Sequence, residues 1–261
     1  MKHARLSVRL AVGVIGAAAL AATGPGCAYV RGYQSRVIAE EAFARGAEAA
    51  ERSDLDETQR EFAAALRAAP GSASLNARIG LVYMATRPPR PATALPYLRR
   101  ALDLDPRQPP PVYLQAILAA AKLGRDDEAR ATLRRAARRF RNDVVALNDI
   151  GYLLVDADEL APEALPLLRR AVELRPKSGV IIDSLGWGYY RLGDFARAER
   201  LLARASRLAP GNPEIEYHRG VVYAAEGKTD EARRQFERVL ALDARFAAAR
   251  SALRALERGP R

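Results

Sequence analysis

Glycine and proline recur at intervals of about 34 residues along most of this 261-residue chain. Each series has one gap of about two intervals, which indicates that a less regular unit lies inside it. Such an interval is typical of stacked supersecondary units, since each unit can bury its apolar face only against its neighbours. The glycines are Gly46, Gly80, Gly151, Gly186 and Gly220, and the prolines are Pro70, Pro106, Pro176 and Pro210.

The interior of a unit predicts two helices joined by a short turn. Glycine inside a helix costs about 1 kcal/mol relative to alanine, so its return at one offset requires a packing reason. The proline ends the second helix, because it lacks an N–H and disfavours helix at the preceding residue. Gly124, Gly193 and Gly227 stand where they would cap first helices. Small residues at a helix crossing allow close approach, and alanine pairs seven residues apart occur at Ala94 and Ala101, Ala129 and Ala136, Ala164 and Ala171, and Ala198 and Ala205.

This pattern resembles the tetratricopeptide repeat. One uninterrupted unit has consensus residues at Gly186, Tyr189, Gly193, Ala198, Leu202, Ala205 and Pro210. The resemblance covers residues 39–244 and implies an all-α fold, a right-handed solenoid of about six helix hairpins with a C-terminal capping helix. The units are expected at about 39–72, 73–108, 110–143, 144–178, 179–212 and 213–246, with the capping helix and tail at 245–261.

The N-terminal residues 1–26 have the order of a secretory signal. Lys2, Arg5 and Arg9 precede an apolar run from Leu10 to Ala22. A transmembrane anchor is the weaker interpretation, because the run is shorter than the roughly 20 residues needed to span a bilayer. We therefore expect an exported protein whose residues 27–38 form a linker.

Cys27 is the only cysteine and directly follows the apolar run. Its position resembles that of the acylated cysteine of bacterial lipoproteins, although Gly24 and Pro25 depart from their usual motif. Ordinary signal cleavage, with the thiol left free or removed, is the alternative. We predict lipidation at Cys27, which explains an unpaired cysteine in an exported protein. Because Ala28 is not the aspartate typical of inner-membrane retention, we expect a periplasmic protein anchored to the outer membrane.

The composition argues against a catalytic function. Only one histidine, His218, lies beyond the signal segment, so a multi-histidine metal site cannot be built. A triad of Asp183, Ser184 and His218 is disfavoured, because nothing in the sequence supports its geometry. We therefore predict no catalytic residue, no cofactor, no metal and no small-molecule substrate. The formal net charge of +11 would suit nucleic acid, but an exported protein rarely meets it.

The resemblance implies that the first helices line a concave groove for a peptide or protein partner. We predict that the groove of the last three units binds the partner and that Tyr152 and Trp187, at one repeat position, lie side by side. In the alternative, both residues only fill space between helices. The predicted partner-binding residues are Asn148, Tyr152, Asp183, Trp187, Tyr190 and Tyr217.

A carboxylate-gripping groove is not expected at the start of the array. Grooves of that kind in the family use lysine and asparagine at positions where this chain has Phe43 and Ala47 in the first unit. The same positions of the second unit are Ala77 and Leu81.

Arginines on the second helices predict a basic ridge on the outer face. They recur at about the same interval as the glycines, so stacking should align them. The ridge is either a solvated surface or an attachment to anionic lipid head groups, worth about 1 kcal/mol per basic residue. Its members are Arg99, Arg100, Arg134, Arg135, Arg169, Arg170, Arg204 and Arg238.

These features together predict a non-catalytic scaffold or adaptor of the bacterial envelope. Two subclasses resemble it: pilotin-type lipoproteins that help assemble pilus secretins, and lipoprotein adaptors of C-terminal-processing proteases. Phrases such as "ALNDIGYLL" and "DSLGWGYYRLG" favour the second subclass, and the size and six-unit layout favour the first. A hydrolase or lipid-modifying enzyme within the repeats is the alternative of a different class.

Overall fold

The structure, a computed structural model, describes residues 25–258 with the exception of residues 158 and 159. Within these ranges it contains thirteen helices and no strand. The helices are α1 (Pro25–Glu51), α2 (Leu55–Ala68), α3 (Ala73–Ala85), α4 (Pro91–Leu104), α5 (Pro110–Lys122), α6 (Asp126–Arg139), α7 (Val144–Asp156), α8 (Ala161–Leu174), α9 (Gly179–Arg191), α10 (Phe195–Leu208), α11 (Pro213–Ala225), α12 (Thr229–Leu242) and α13 (Ala247–Arg258).

The helices form six consecutive hairpins, and α13 packs against the last of them. Each odd-numbered helix from α1 to α11 packs most closely on the helix that follows it. The first helices of neighbouring hairpins also contact one another along the whole array, whereas second helices contact one another little. A stack whose first helices are closer together curves around them, so they line the concave face. The predicted all-α solenoid of helix hairpins is confirmed.

Small residues allow the two helices of each hairpin to approach closely. All eight paired alanines are fully buried. The recurring glycine, present in five of the six first helices, lies under a large side chain of the second helix. A Cβ on Gly186 would lie 2.9 Å from Leu202, and one on Gly220 would lie 2.5 Å from Phe236. Close packing therefore explains why glycine recurs at this position although it lowers the stability of the helix.

Helix ends follow the predicted signals. The second helices α2, α4, α8 and α10 each end two residues before the recurring proline. Gly193, in the turn after α9, has a φ of +76°, a left-handed conformation that favours glycine. Asp194 then caps α10, its carboxylate accepting a hydrogen bond from the backbone N–H of Arg197 at 3.0 Å.

A buried polar network joins the last three helices before the cap. Glu216 of α11 is fully buried and accepts hydrogen bonds from Ser206 at 2.6 Å, from Arg219 at 3.0 Å and from Gln235. These partners come from α10, α11 and α12. A buried carboxylate is tolerated when it is paired and hydrogen-bonded, and this one ties the final hairpin to its neighbour.

The two ends of the chain relate differently to the predicted boundaries. Of the predicted signal segment 1–26, residues 1–24 lie outside the described residues. Residues 27–38, which the sequence suggested as a linker, are helical and continue into the body of α1. At the other end, Ala249 of α13 completes a small core with Phe236 and Val239 of α12. No helix among the described residues combines the length and the apolar character needed to cross a bilayer.

Candidate partner-binding groove

The concave face of the last three hairpins is formed by α7, α9 and α11. Their repeat register places four aromatic side chains there, and each is partly buried. We call Tyr152, Trp187, Tyr190 and Tyr217 the aromatic cluster. Its members come from all three helices, so the cluster depends on the stacking of the units.

Trp187 is held from three directions. Its ring stacks on Tyr190, with centroids 4.7 Å apart, and on His218, with centroids 4.3 Å apart. Its indole N–H donates a hydrogen bond to Oδ1 of Asp156 at 3.2 Å. The stacking of Trp187 is thus directed to its own helix and to α11, and its adjacency to Tyr152 stays a prediction.

Asp183 lies beneath the groove surface and not in it. Its side chain is 5% exposed, and both carboxylate oxygens lie within 3.0 Å of Nδ1 of His218, which is 4% exposed. The prediction that Asp183 contacts a partner is therefore wrong. An unpaired carboxylate could not be buried at low cost, so the histidine one repeat later is its structural partner.

Ser184, the third residue of the disfavoured triad, forms its hydrogen bond within its own helix. The hydroxyl of Ser184 donates a hydrogen bond to the backbone carbonyl of Val180, one turn earlier in α9, at 3.2 Å. Ser184 is thus hydrogen-bonded within its own helix and not to the Asp183 and His218 pair. A nucleophile, a base and an orienting group in mutual contact are the minimum for such catalysis.

Arg191 and Asp156 close the C-terminal edge of the groove. Arg191 donates from Nη1 to the backbone carbonyl of Asp156 at 2.7 Å, and the same atom lies 3.4 Å from Oδ1. Asp156 therefore joins α7 to α9 through both Trp187 and Arg191. This contact fixes the orientation of Trp187 from the solvent side.

The groove environment raises the pKa values of two of its tyrosines. Burial, together with the negative charges of Asp156, Glu214 and Asp183, raises the pKa of Tyr152 to about 12. Burial also raises the pKa of Tyr217. Both effects disfavour the phenolate, so each hydroxyl remains a hydrogen-bond donor at neutral pH.

The side-chain amide of Asn148 is only partly hydrogen-bonded. Its side-chain N–H donates to the carboxylate of Asp149 at 3.4 Å, whereas its Oδ1 is enclosed and has no hydrogen-bond partner among the described residues. An enclosed amide oxygen without a partner is costly.

The groove also contains residues that the sequence analysis did not select, namely Asp156, Arg191 and His218. Each contacts a residue 31 to 35 positions away, close to one repeat interval. A search of the sequence for polar residues separated by about one repeat interval could have found them.

The arginines of the predicted basic ridge fall into three groups. Arg99 lies 3.2 Å from Glu128, and Arg169 donates a hydrogen bond to the hydroxyl of Tyr189 at 3.1 Å. Arg100, Arg134 and Arg238 are exposed and form no hydrogen bond or ion pair with other described residues.

The remaining ridge arginines occupy one repeat position and form contacts of one type. Arg135 donates to the carbonyl of Leu102 at 2.9 Å, Arg170 donates to the carbonyl of Arg141 at 3.2 Å, and Arg204 donates to the carbonyl of Pro176. In each case the acceptor lies at or just after the end of the preceding second helix, where carbonyls lack partners within the helix. We call these three contacts the arginine clasps.

Comparison with known proteins identifies the family of this chain. The tetratricopeptide repeat family matches at residues 114–179 and 189–256, together about half of the chain. A TPR repeat-containing protein of Pseudomonas aeruginosa is 39% identical over 88 residues, which are 34% of this chain and 15% of that protein. The general transcriptional corepressor trfA of Dictyostelium discoideum is 27% identical over 129 residues, 49% of this chain and 9% of that protein.

A solved structure shows the same fold. It is the C-terminal part of a TPR repeat-containing protein from Cytophaga hutchinsonii, with a TM-score of 0.51 and 15% identity. The match covers 77% of this chain and 79% of that one. Among the described residues, no group of three or more histidine, cysteine, aspartate or glutamate side chains is arranged to hold a metal ion.

Proposed function

Because the chain belongs to the tetratricopeptide repeat proteins, we propose that it is a non-catalytic envelope scaffold that binds a peptide or protein segment in the groove of α7, α9 and α11. Proteins of this family are typically interaction modules, and the helix hairpins present a continuous concave face for that purpose.

The observation that supports this site is the fixation of Trp187. Its two stacking partners and its hydrogen bond hold the ring in one orientation while part of it remains exposed. A large aromatic side chain that is already ordered loses little conformational entropy on binding, which favours it as an interaction hot spot. Tyr152, Tyr190 and Tyr217 extend the same surface.

We place the scaffold in the periplasm, anchored to the outer membrane through lipid on Cys27. The charged front and apolar run of residues 1–22 and the position of the single cysteine support this location. The tether supplies membrane affinity that none of the described helices supplies by crossing the bilayer.

Two partners fit this location. One is a pilus secretin during its assembly, and the other is a C-terminal-processing protease for which the chain would act as adaptor. The six hairpins between α1 and α12 support the first, and the sequence around Asn148 and Asp183 supports the second. Both would use the groove.

The groove is tested by capture from an envelope extract. The purified chain and a Tyr152→Ala, Tyr217→Ala variant are compared, with Tyr33→Ala as the control because Tyr33 is 54% exposed on α1, outside the groove. We expect a secretin or a protease to be retained by the wild type and the control and lost from the double variant, with helicity by circular dichroism unchanged. Equal retention by all three would exclude the groove as the binding surface.

The anchor is tested separately. Cys27→Ser should move the protein from the membrane fraction to the soluble fraction and abolish incorporation of labelled fatty acid. Unchanged membrane association would exclude acylation at Cys27 and leave the groove proposal unaffected.

A further inference from the structure

The groove helices are acidic in a chain that is basic overall. The chain has a formal net charge of +11, whereas α7, α9 and α11 contain five acidic residues and two basic ones. The acidic residues are Asp149, Asp156, Asp183, Glu214 and Glu216, and the basic residues are Arg191 and Arg219.

Both basic residues are engaged with acidic ones. Arg191 binds Asp156 at the groove edge, and Arg219 lies 3.0 Å from the buried carboxylate of Glu216. Asp183 is buried against His218. These contacts leave the other carboxylates of the three helices to determine the charge of the open surface.

Those carboxylates are Asp149 and Glu214, and both are exposed. Among the described residues neither Asp149 nor Glu214 forms an ion pair. Asp149 lies on α7 one turn from Tyr152, and Glu214 lies in the first turn of α11, one turn before Tyr217. The open side of the groove therefore has unpaired negative charge beside the aromatic cluster.

An apolar cleft adjoins these carboxylates. It lies between α5 and α7, has a volume of about 240 Å³, and is bordered by Asp149. Val145 and Leu153 are 67% and 43% exposed at its edge, which is unusual for side chains of this type. Its other walls include Pro110, Pro111 and Leu114.

We propose that the groove selects a positively charged segment of its partner, with a lysine or arginine side chain at Asp149 or Glu214 and an apolar side chain in the cleft between α5 and α7. The proposal rests on the proposed function and specifies the chemistry of the segment. Opposite charge attracts such a segment and excludes an acidic one, and the partly exposed rings of Trp187 and Tyr190 favour a nearby cation.

Three synthetic peptides of equal length test the charge preference. They share leucine and glycine positions and differ only in a repeated third residue, which is lysine, glutamine or glutamate. Binding of each labelled peptide to the purified chain is followed by fluorescence anisotropy at low and high salt. The variant Asp149→Asn, Glu214→Gln removes two charges while keeping the side-chain shapes.

A matched control variant is Asp230→Asn, Glu237→Gln. Both residues are exposed on the second helix α12, and Asp230 lies in its first turn, as Glu214 does in α11. We expect the lysine peptide to bind most tightly and less tightly at high salt. Its affinity should fall about tenfold in the groove variant and stay unchanged in the control.

The results separate this inference from the groove proposal. Tighter binding of the glutamine or glutamate peptide, lost in Tyr152→Ala, Tyr217→Ala, would overturn the charge preference and retain the groove as a binding surface. Equal loss of the lysine peptide in both charge variants would show attraction to general surface charge and overturn the inference. Binding of none of the peptides would also overturn it, and capture of a native partner would then decide the groove proposal alone.

Discussion

Nδ1 of His218 lies 2.9 Å from the carboxylate of Asp183, in a buried contact that joins α9 to α11 across one repeat interval. The same imidazole ring stacks on Trp187. The floor of the groove and the position of Trp187 therefore both depend on the contact between Asp183 and His218.

Removing one member of the pair should destabilise the protein. We expect His218→Ala to lower the free energy of unfolding by about 3 kcal/mol or more, because it leaves the Asp183 carboxylate buried without its partner. Urea unfolding followed by circular dichroism measures this. Asp149→Asn, at an exposed site on α7, should change the value by less than about 0.5 kcal/mol. A His218→Ala protein as stable as that control would show that the pair contributes nothing.

Alanine at the recurring glycines should test the close approach of the helices. Gly220→Ala places a methyl group against Phe236 and should cost about 1–3 kcal/mol despite the higher helix propensity of alanine. Gly32 is also helical, and a Cβ there meets nothing within 4 Å. Gly32→Ala should therefore stabilise α1 by up to about 1 kcal/mol. Effects of the same sign at both sites would argue against a packing role for the recurring glycine.

The arginine clasps should affect stability more than the free ridge arginines. Arg135→Ala removes a hydrogen bond to a helix-end carbonyl and should cost about 0.5–1.5 kcal/mol. Arg134→Ala, its exposed neighbour, should leave thermal unfolding unchanged. If Arg134→Ala is the more destabilising of the two, the clasp does not have the stabilising role that we assign to it.

Alkaline pH should weaken the fold through its buried tyrosines. Burial is the main cause that raises the pKa of Tyr83 and of Tyr152 to about 12, whereas an unfolded tyrosine ionises near about 10. The folded state thus retains these protons longer, so their contribution to stability is complete below about pH 10 and is lost as the pH rises through 12. Absorbance titration should show tyrosines that ionise later than a free tyrosine, and Tyr83→Phe and Tyr152→Phe should each remove one of them.

The regular part of the fold was predictable because its signals are local. Gly186, Ala198 and Pro210 act through backbone conformation and close packing at fixed offsets, and each is repeated in other units. The helical start of α1 had no such signal, since Pro25 and Gly26 suggest a break and not the continuous helix that the structure has.

The candidate site was only partly predictable. The repeat register placed Tyr152, Trp187, Tyr190 and Tyr217 correctly on the first helices, but it compares residues at one position of successive units. Asp183 meets His218, which stands one position later in its own unit, after Tyr217. A contact between unlike positions depends on how helices rotate against each other, and a single sequence does not give that rotation.

The arginine clasps also have a geometrical consequence for the face opposite to them. In a curved stack, the separation of the outer elements determines how widely the inner face opens. Arg135, Arg170 and Arg204 constrain that separation, because they join α6, α8 and α10 to the end of the second helix before each of them or to the turn after it. In the proposed binding mode, the fit of a segment would therefore depend on residues at the back of the molecule that the segment does not touch.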